Sequence, residues 1–186
     1  EAVKGLERVL GPDEDDTQSA ANELAMIYES IGRNAEAIAL LERARAASIA
    51  DLGSENRNTL TVLANLAFSY QRANQPEKAL PLFEDVVRRQ AATLGTDHQN
   101  TQMTRSNLAF IYYSMGRLKE AIPLLEQVYA GSKRYPEFRD IVKVLIEAYR
   151  DSGRPEKAVP LIEEYLAQKK IDPGPDHPET LSMMMV

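Results

Sequence analysis

The chain is predicted to be all-α, a right-handed superhelical solenoid of antiparallel helix pairs, and three features of its 186 residues point there. The segment Gly11 to Thr17 (GPDEDDT) returns as Gly53 to Thr59 (GSENRNT) and as Gly95 to Thr101 (GTDHQNT), each time after 42 residues. The same step carries Tyr28 onto Tyr70 and Tyr112, and Ala37 onto Ala79 and Ala121, so a whole supersecondary unit is repeated. Within a unit the apolar residues recur at the three- and four-residue spacing of an amphipathic helix, and no segment alternates over the length of a strand.

Taken in order, Glu1 to Arg8 (EAVKGLER) echoes Glu36 to Arg43 (EAIALLER), so residues 1–10 read as the second helix of a truncated repeat. Repeats then occupy 11–52, 53–94, 95–131 and 132–173, and 174–186 begins another, cut mid-repeat, opening on Gly174 to Thr180 (GPDHPET). In the second repeat Leu63, Leu66, Ala67, Tyr70 and Ala73 mark a helix from Thr59 to about Ala73. Asn74 and Gln75 make a tight turn, and Pro76, like Pro155 in the fourth repeat, suits the first position of the second helix, which runs to about Thr93. Gly95 ends that helix, and Asp97, or Asp176 and His177 before Pro178, is placed to cap the next by accepting its unpaired backbone N–H groups. Pro81, Pro123 and Pro160 share one position about six residues into the second helices, where a proline removes a hydrogen bond and a slight kink is expected. The fourth repeat follows at a step of 37, with Tyr149, Gly153 and Ala158 matching Tyr112, Gly116 and Ala121. The shortened connection, Gly131 to Pro136, predicts a second helix ending near Ser132, about a turn earlier than its counterpart.

Hydrophobic residues at 44%, charged residues at 27% and a net charge of −6 are ordinary for a folded domain, which argues against disorder. No apolar run approaches the roughly 18 residues of a membrane helix, and no signal-peptide pattern opens the chain, so no membrane partner is expected. Cysteine is absent, which removes disulfides, thiolate nucleophiles and cysteine-ligated zinc but does not distinguish a reducing compartment from an oxidising one; cytoplasm is the default expectation. The acidic balance repels a phosphate backbone and no basic stripe offsets it, so nucleic acid is not expected as a partner.

The strings NLAFSYQRANQPEKALPLFEDV (Asn65 to Val86) and NLAFIYYSMGRLKEAIPLLEQV (Asn107 to Val128) resemble the tetratricopeptide repeat, whose signature is Leu-Gly/Ala-x-x-Tyr, then Gly, then Ala-x-x-x-Phe. The usual period is about 34 residues; the longer one here, with LGxDHxxT before the first helix and NLAxxY inside it, is similar to the kinesin-light-chain-like subclass. The resemblance spans nearly the whole chain. Departures are the missing Trp, whose place falls near Val62 and Thr104, and in the fourth repeat Phe138 for Thr, Ile146 for Ala and no LGxDHxxT loop.

Catalytic and metal chemistry find no foothold. His98 and His177 are the only histidines, sit in equivalent loops two repeats apart, and fit helix-capping loops better than a zinc pattern. Nucleophile motifs, phosphate loops and HExxH are missing, and acidic pairs such as Glu163–Glu164 and Asp15–Asp16 suit solvated faces or helix starts. The run Met183 to Met185 reads as packing surface of the truncated last repeat. No enzyme, no cofactor and no metal are expected.

The architecture and the resemblance both direct attention to the concave face, lined by the first helix of each repeat. Its candidate ligand-binding residues are Asn22, Met26, Asn65, Phe68, Arg72, Asn107, Phe110, Tyr113, Lys143, Glu147 and Arg150, with Glu23 and Glu29 beside them. The resemblance implies that the amides of Asn65 and Asn107 hold the backbone of an extended peptide, each offering a donor and an acceptor. Phe68, Phe110 and Tyr113 would form an apolar pocket, or else pack against a neighbouring helix. Arg72, Lys143 and Arg150 favour an acidic segment while Glu23, Glu29 and Glu147 oppose it, leaving the ligand's sign open. The expected function is a non-catalytic scaffold binding a peptide or protein in the groove. The alternatives are a regulatory or sensor module of a larger signalling protein, such as a kinase or nucleotide-dependent switch, and an architectural solenoid that self-associates end to end through its truncated repeats.

Overall fold

The structure, a computed structural model, describes residues 15–132, 134 and 140–171. Expectations placed on residues 1–14, on Tyr135, Pro136 and Phe138, and on 172–186 with Asp176, His177 and Met183 to Met185 lie outside the described residues. The chain divides into two compact units, residues 1–111 and 112–186, each taken by itself below.

The first unit holds α1 (Asp15–Ser30), α2 (Asn34–Leu52), α3 (Arg57–Arg72), α4 (Pro76–Thr93) and most of α5 (Gln99–Ser114). The apolar stripes read from the sequence are the buried ones. Ala21 and Ala25 of α1, Ala37, Leu41 and Ala44 of α2, and Val62 and Leu66 of α3 form one cluster. Leu60, Leu63 and Val86 form another, with Leu82 packed on both. The alanines of the repeat signature, Ala37, Ala67 and Ala79, have no exposed surface, so helices lie against one another where a larger side chain would hold them apart. Leu66 and Phe83 are equally enclosed, each burial contributing about 1.5–3 kcal/mol of transfer free energy.

The recurring Gly and Thr of the loop segment have a structural role. Thr59 is fully buried and its hydroxyl donates to the Gly53 carbonyl at 2.8 Å, with the Ser48 carbonyl at 3.2 Å, closing the connection between α2 and α3. The cap of the next helix differs from expectation. Asn56 caps α3 by accepting the Asn58 N–H at Oδ1 (2.8 Å), and His98, one 42-residue step later, accepts the Asn100 N–H at Nδ1 (3.2 Å). Asp97 stands one residue too early for this geometry, and its carboxylate accepts the Thr96 hydroxyl instead. Sequence reading placed the cap in the right loop and on the wrong residue.

The tight turns after the first helices all close the same way. In the first unit the N–H groups of Arg33 and Gln75 return to the carbonyls of Tyr28 and Tyr70 at 2.7 and 2.9 Å. The residue before each donor is left-handed, Gly32 at φ 77° and Asn74 at φ 56°. The Arg33 guanidinium lies 4.8 Å over the Tyr28 ring and is held there by Glu36 at 2.8 Å. Helix α4 continues through Pro81, which is exposed.

The second unit runs from Tyr112 through α6 (Leu118–Gly131), α7 (Ile141–Asp151), a 3-10 turn (Pro155–Lys157) and α8 (Ala158–Ile171). Ala121, Leu125 and Val128 of α6 and Leu145, Ala148 and Tyr149 of α7 make up its buried face. The Tyr–Gly–Arg turn is repeated, with Arg117 N–H on the Tyr112 carbonyl (2.8 Å) and Arg154 N–H on that of Tyr149 (2.9 Å). Helix α6 ends at Gly131, where the equivalent of Thr93 would be residue 135, so it stops a turn short as the shortened step predicts. Pro123 lies inside α6 without ending it, whereas Pro160 falls in the first turn of α8 because the opening turn there is 3-10; at that position no helical hydrogen bond is lost. Among the described residues all regular structure is helical.

Candidate binding face of the first helices

Helices α1 and α3 are joined along their length by a ladder of polar contacts. Near its N-terminal end the Asn65 Nδ2 donates to Asn22 Oδ1 at 3.1 Å. About one turn further, the Ser69 hydroxyl donates to the Glu29 carboxylate, and Arg72 Nη2 donates to the Glu29 carbonyl at 3.2 Å. The Arg72 guanidinium lies 5.9 Å over the Phe68 ring. These positions follow one another at helical spacing on α3, which is why one face gathers them. The Asn65–Asn22 bond uses one N–H of the amide and leaves Asn65 a second N–H and Oδ1, without partners among the described residues, for another acceptor and donor.

The same first helices carry an apolar side chain at a repeated position. Met26, Phe68 and Phe110 stand at successive 42-residue steps, Met26 62% exposed, Phe68 half-buried and Phe110 46% exposed. Glu23, Asn65 and Asn107 occupy the equivalent positions three residues earlier, Glu23 exposed and both asparagines half-buried.

In the second unit Tyr113 and α7 supply the corresponding side chains. The Tyr113 hydroxyl donates to Asp151 Oδ2 at 2.9 Å with Glu147 Oε2 at 3.3 Å. Burial, then the bond to Asp151, pushes its pKa up to about 12. Lys143 contacts Asp140 at 3.4 Å and lies 5.7 Å over the Tyr165 ring; burial works against its charge, but Tyr165 and Asp140 outweigh it and the net shift is upward. Arg150 meets Asp151 at 3.4 Å.

The candidate residues therefore come together as pairs and short chains within each unit: Asn22 with Asn65, Phe68 with Arg72, Tyr113 with Glu147. Arg72, Lys143 and Arg150 all have internal partners, which reduces their pull on an acidic ligand. Ser69 and Asp151 belong to these networks and were not singled out in the sequence. The signal was present, since each lies four residues after a named candidate, Asn65 and Glu147.

Among the described residues no group of three or more His, Asp and Glu could hold a metal ion, and no helix is long and apolar enough to cross a membrane.

Tandem helix pairs with buried alanines between them and a polar and aromatic face on the first helices define the class of helical-repeat scaffolds for protein interaction. Within that class the chain belongs to the tetratricopeptide repeat family, in its kinesin-light-chain-like subclass. One family model described as tetratricopeptide repeat matches residues 16–91 and 58–134, and another matches residues 112–173. A putative kinesin light chain from Podosopora anserina, with nearly identical TPR-like repeats, is 32% identical with a TM-score of 0.80, over 89% of this chain and 81% of that one. BtubC (BKLC) from P. vanneervenii is 20% identical with a TM-score of 0.78, over 89% and 68% of the two chains. MamA is 22% identical with a TM-score of 0.66, over 91% and 81%. The last two share the fold. Among curated proteins none matches the chain. Proteins of this family generally serve as non-catalytic scaffolds, and the all-α, TPR-type fold expected from the sequence is the one found.

Proposed function

We propose that the chain is a non-catalytic scaffold whose first-helix face binds a peptide or protein segment lying across successive repeats, with repeats bounded at 11–52, 53–94, 95–131 and 132–173. The observation that carries this reading is the repeated pairing, in the first unit, of a polar position (Glu23, Asn65 and Asn107) with an apolar position three residues on, where Met26 and Phe110 are exposed and Phe68 is half-buried. Apolar positions alone would serve any sticky surface. Polar positions three residues away supply amide groups for a peptide backbone, and the combination of oriented polar groups with apolar area is what selective sites use. The full set of contact residues proposed is Asn22, Met26, Asn65, Phe68, Arg72, Asn107, Phe110, Tyr113, Lys143, Glu147 and Arg150. The partner is a protein or peptide, with neither nucleic acid nor membrane involved, in the cytoplasm.

The test is selection of binders from a random displayed peptide library on the immobilised chain, followed by titration against the Asn65→Ala/Asn107→Ala variant. Selected peptides should lose at least about tenfold in affinity, or about 1.4 kcal/mol. Binders indifferent to both asparagines would place the binding surface elsewhere.

A further inference from the structure

The turns that follow the first helices carry a cation on the signature tyrosine, and the way its charge is balanced changes in the fourth repeat. In the first and third repeats a carboxylate three residues on neutralises it, Glu36 holding Arg33 and Glu120 holding Arg117, each at 2.8 Å. In the second, Gln75 replaces the arginine and Lys78 alone lies over the Tyr70 ring, at 5.3 Å. The fourth keeps the arginine but puts Lys157 where Glu36 and Glu120 stand. Arg154 and Lys157 therefore both lie over the Tyr149 ring, at 5.8 and 5.6 Å, and neither has an ion pair among the described residues. The Arg154 Nε donates to the Ser152 hydroxyl at 3.2 Å, which steadies the guanidinium and leaves its two Nη nitrogens without partners among the described residues.

An open cleft of about 710 Å³ lies at the same place, within the second unit. Gly116, Arg117, Lys119 and Glu120 line it from the start of α6, and Ser152 and Arg154 from the turn after α7. Arg117 is committed to Glu120, whereas Lys119 is exposed and has no hydrogen bond or ion pair among the described residues. Three cations against one carboxylate leave the lining two positive charges in excess, in a chain of net charge −6. Like charges held together repel, and an anion in the cleft relieves that repulsion. A carboxylate would cancel one of the two charges. A phosphate monoester carries about −1.5 to −2 at neutral pH and three acceptor oxygens, so it cancels both and suits the paired Nη nitrogens of an arginine. The cleft also falls in the roughly 300–1,000 Å³ range of small-molecule sites, which leaves room for the carrier of the phosphate.

We propose that this cleft is a second binding site, separate from the first-helix face, that takes a phosphate monoester: Arg154 grips it through both Nη nitrogens, and Lys119 and Lys157 add charge. Titration of the intact, nitrogen-15-labelled chain tests this through its backbone amide signals, with inorganic phosphate, N-acetylphosphoserine amide and N-acetylglutamate amide as probes. Both phosphates should saturably shift the amides of Gly116 to Glu120 and Ser152 to Arg154, and the glutamate derivative should bind at least about fivefold more weakly. Tighter binding of the phosphoserine derivative than of inorganic phosphate assigns the group to a phosphorylated side chain, and the reverse order to a free phosphate. Lys157→Glu restores the carboxylate of the other repeats and pairs Arg154 internally, so it should keep the fold and weaken phosphate at least about fivefold, as should Lys119→Ala. Equal affinity for the glutamate derivative overturns the choice of phosphate. Shifts that do not saturate, that fall elsewhere, or that survive Lys157→Glu unchanged overturn the site, and none of these outcomes bears on the first-helix face.

Discussion

The Tyr70 hydroxyl donates to Glu42 Oε1 at 2.8 Å, bolting α3 onto α2 of the preceding repeat. Tyr149 does the same to Glu126, joining α7 to α6. Glu42, Glu84 and Glu126 stand at 42-residue steps, so the acceptor is as periodic as the tyrosine, and the Tyr of the repeat signature carries a polar bolt as well as a packed ring. Tyr70→Phe keeps the ring and removes the bolt. It should lower unfolding free energy by about 1 kcal/mol in urea denaturation, and a double-mutant cycle with Glu42→Gln should show coupling. Additive losses would mean the bond adds nothing beyond the packing.

Burial and a carboxylate partner act together on the tyrosines, pushing Tyr113, Tyr129 and Tyr149 up to about 12, with burial the larger cause in each. A folded pKa above that of the unfolded chain, about 10, means the unfolded state releases protons first as pH rises. Stability is then full below pH 10 and falls between 10 and about 12. Denaturant midpoints measured across that window should decline, and Tyr129→Phe with Tyr149→Phe should flatten the decline. A flat profile in the unmodified chain would contradict the joint action of partial desolvation and the carboxylate bonds on these hydroxyls.

The turn after each first helix needs one left-handed residue. Gly116 supplies it at φ 70°, with nothing within 4 Å of where a Cβ would stand, so Gly116→Ala isolates backbone strain from any clash. The expected cost is about 1–2 kcal/mol. Asn74 fills the same place at φ 56°, and Asn74→Gly should be neutral or stabilising by a few tenths of a kcal/mol up to about 1. Equal destabilisation by both changes would rule out strain as the common cause.

His98 caps α5 through Nδ1 where Asn56 caps α3 through Oδ1. His98→Asn should therefore preserve stability, and His98→Ala should cost about 1 kcal/mol. Asp97→Ala should cost less than His98→Ala in the same thermal melts; the reverse order would return the cap to Asp97.

Helix ends and packing positions were legible in the sequence because they obey local rules that repeat. Thr93 closes α4 and Gly131 closes α6 where the glycine signals and the shortened step place them. The purpose of Thr59 was not legible. A buried hydroxyl bridging to the Gly53 carbonyl looks the same in sequence as a helix-starting threonine. The cap was misassigned for a related reason: Asp is the commoner capping residue, and propensity outweighed the alignment of His98 with Asn56. At the candidate face the sequence identified side chains but not their partners. Arg72, which by its charge alone favours an acidic segment, is engaged by the Glu29 carbonyl and the Phe68 ring. Glu29, which by its charge alone opposes such a segment, is buried against Ser69. Charges are read from one residue, whereas their engagement depends on a residue some 40 positions away, and period alone does not give that pairing.

The most direct measurement is the affinity of the Asn65→Ala/Asn107→Ala variant for a peptide selected on the unmodified chain, taken with its melting temperature. Asn65 makes a single half-buried bond to Asn22, and both asparagines lie off the enclosed Leu, Ala and Tyr positions. Affinity should fall at least about tenfold while the melting temperature moves by no more than about 4 °C. Unchanged affinity, or a melting temperature lowered by much more than that, would make the two asparagines structural and contradict their assignment to the binding face.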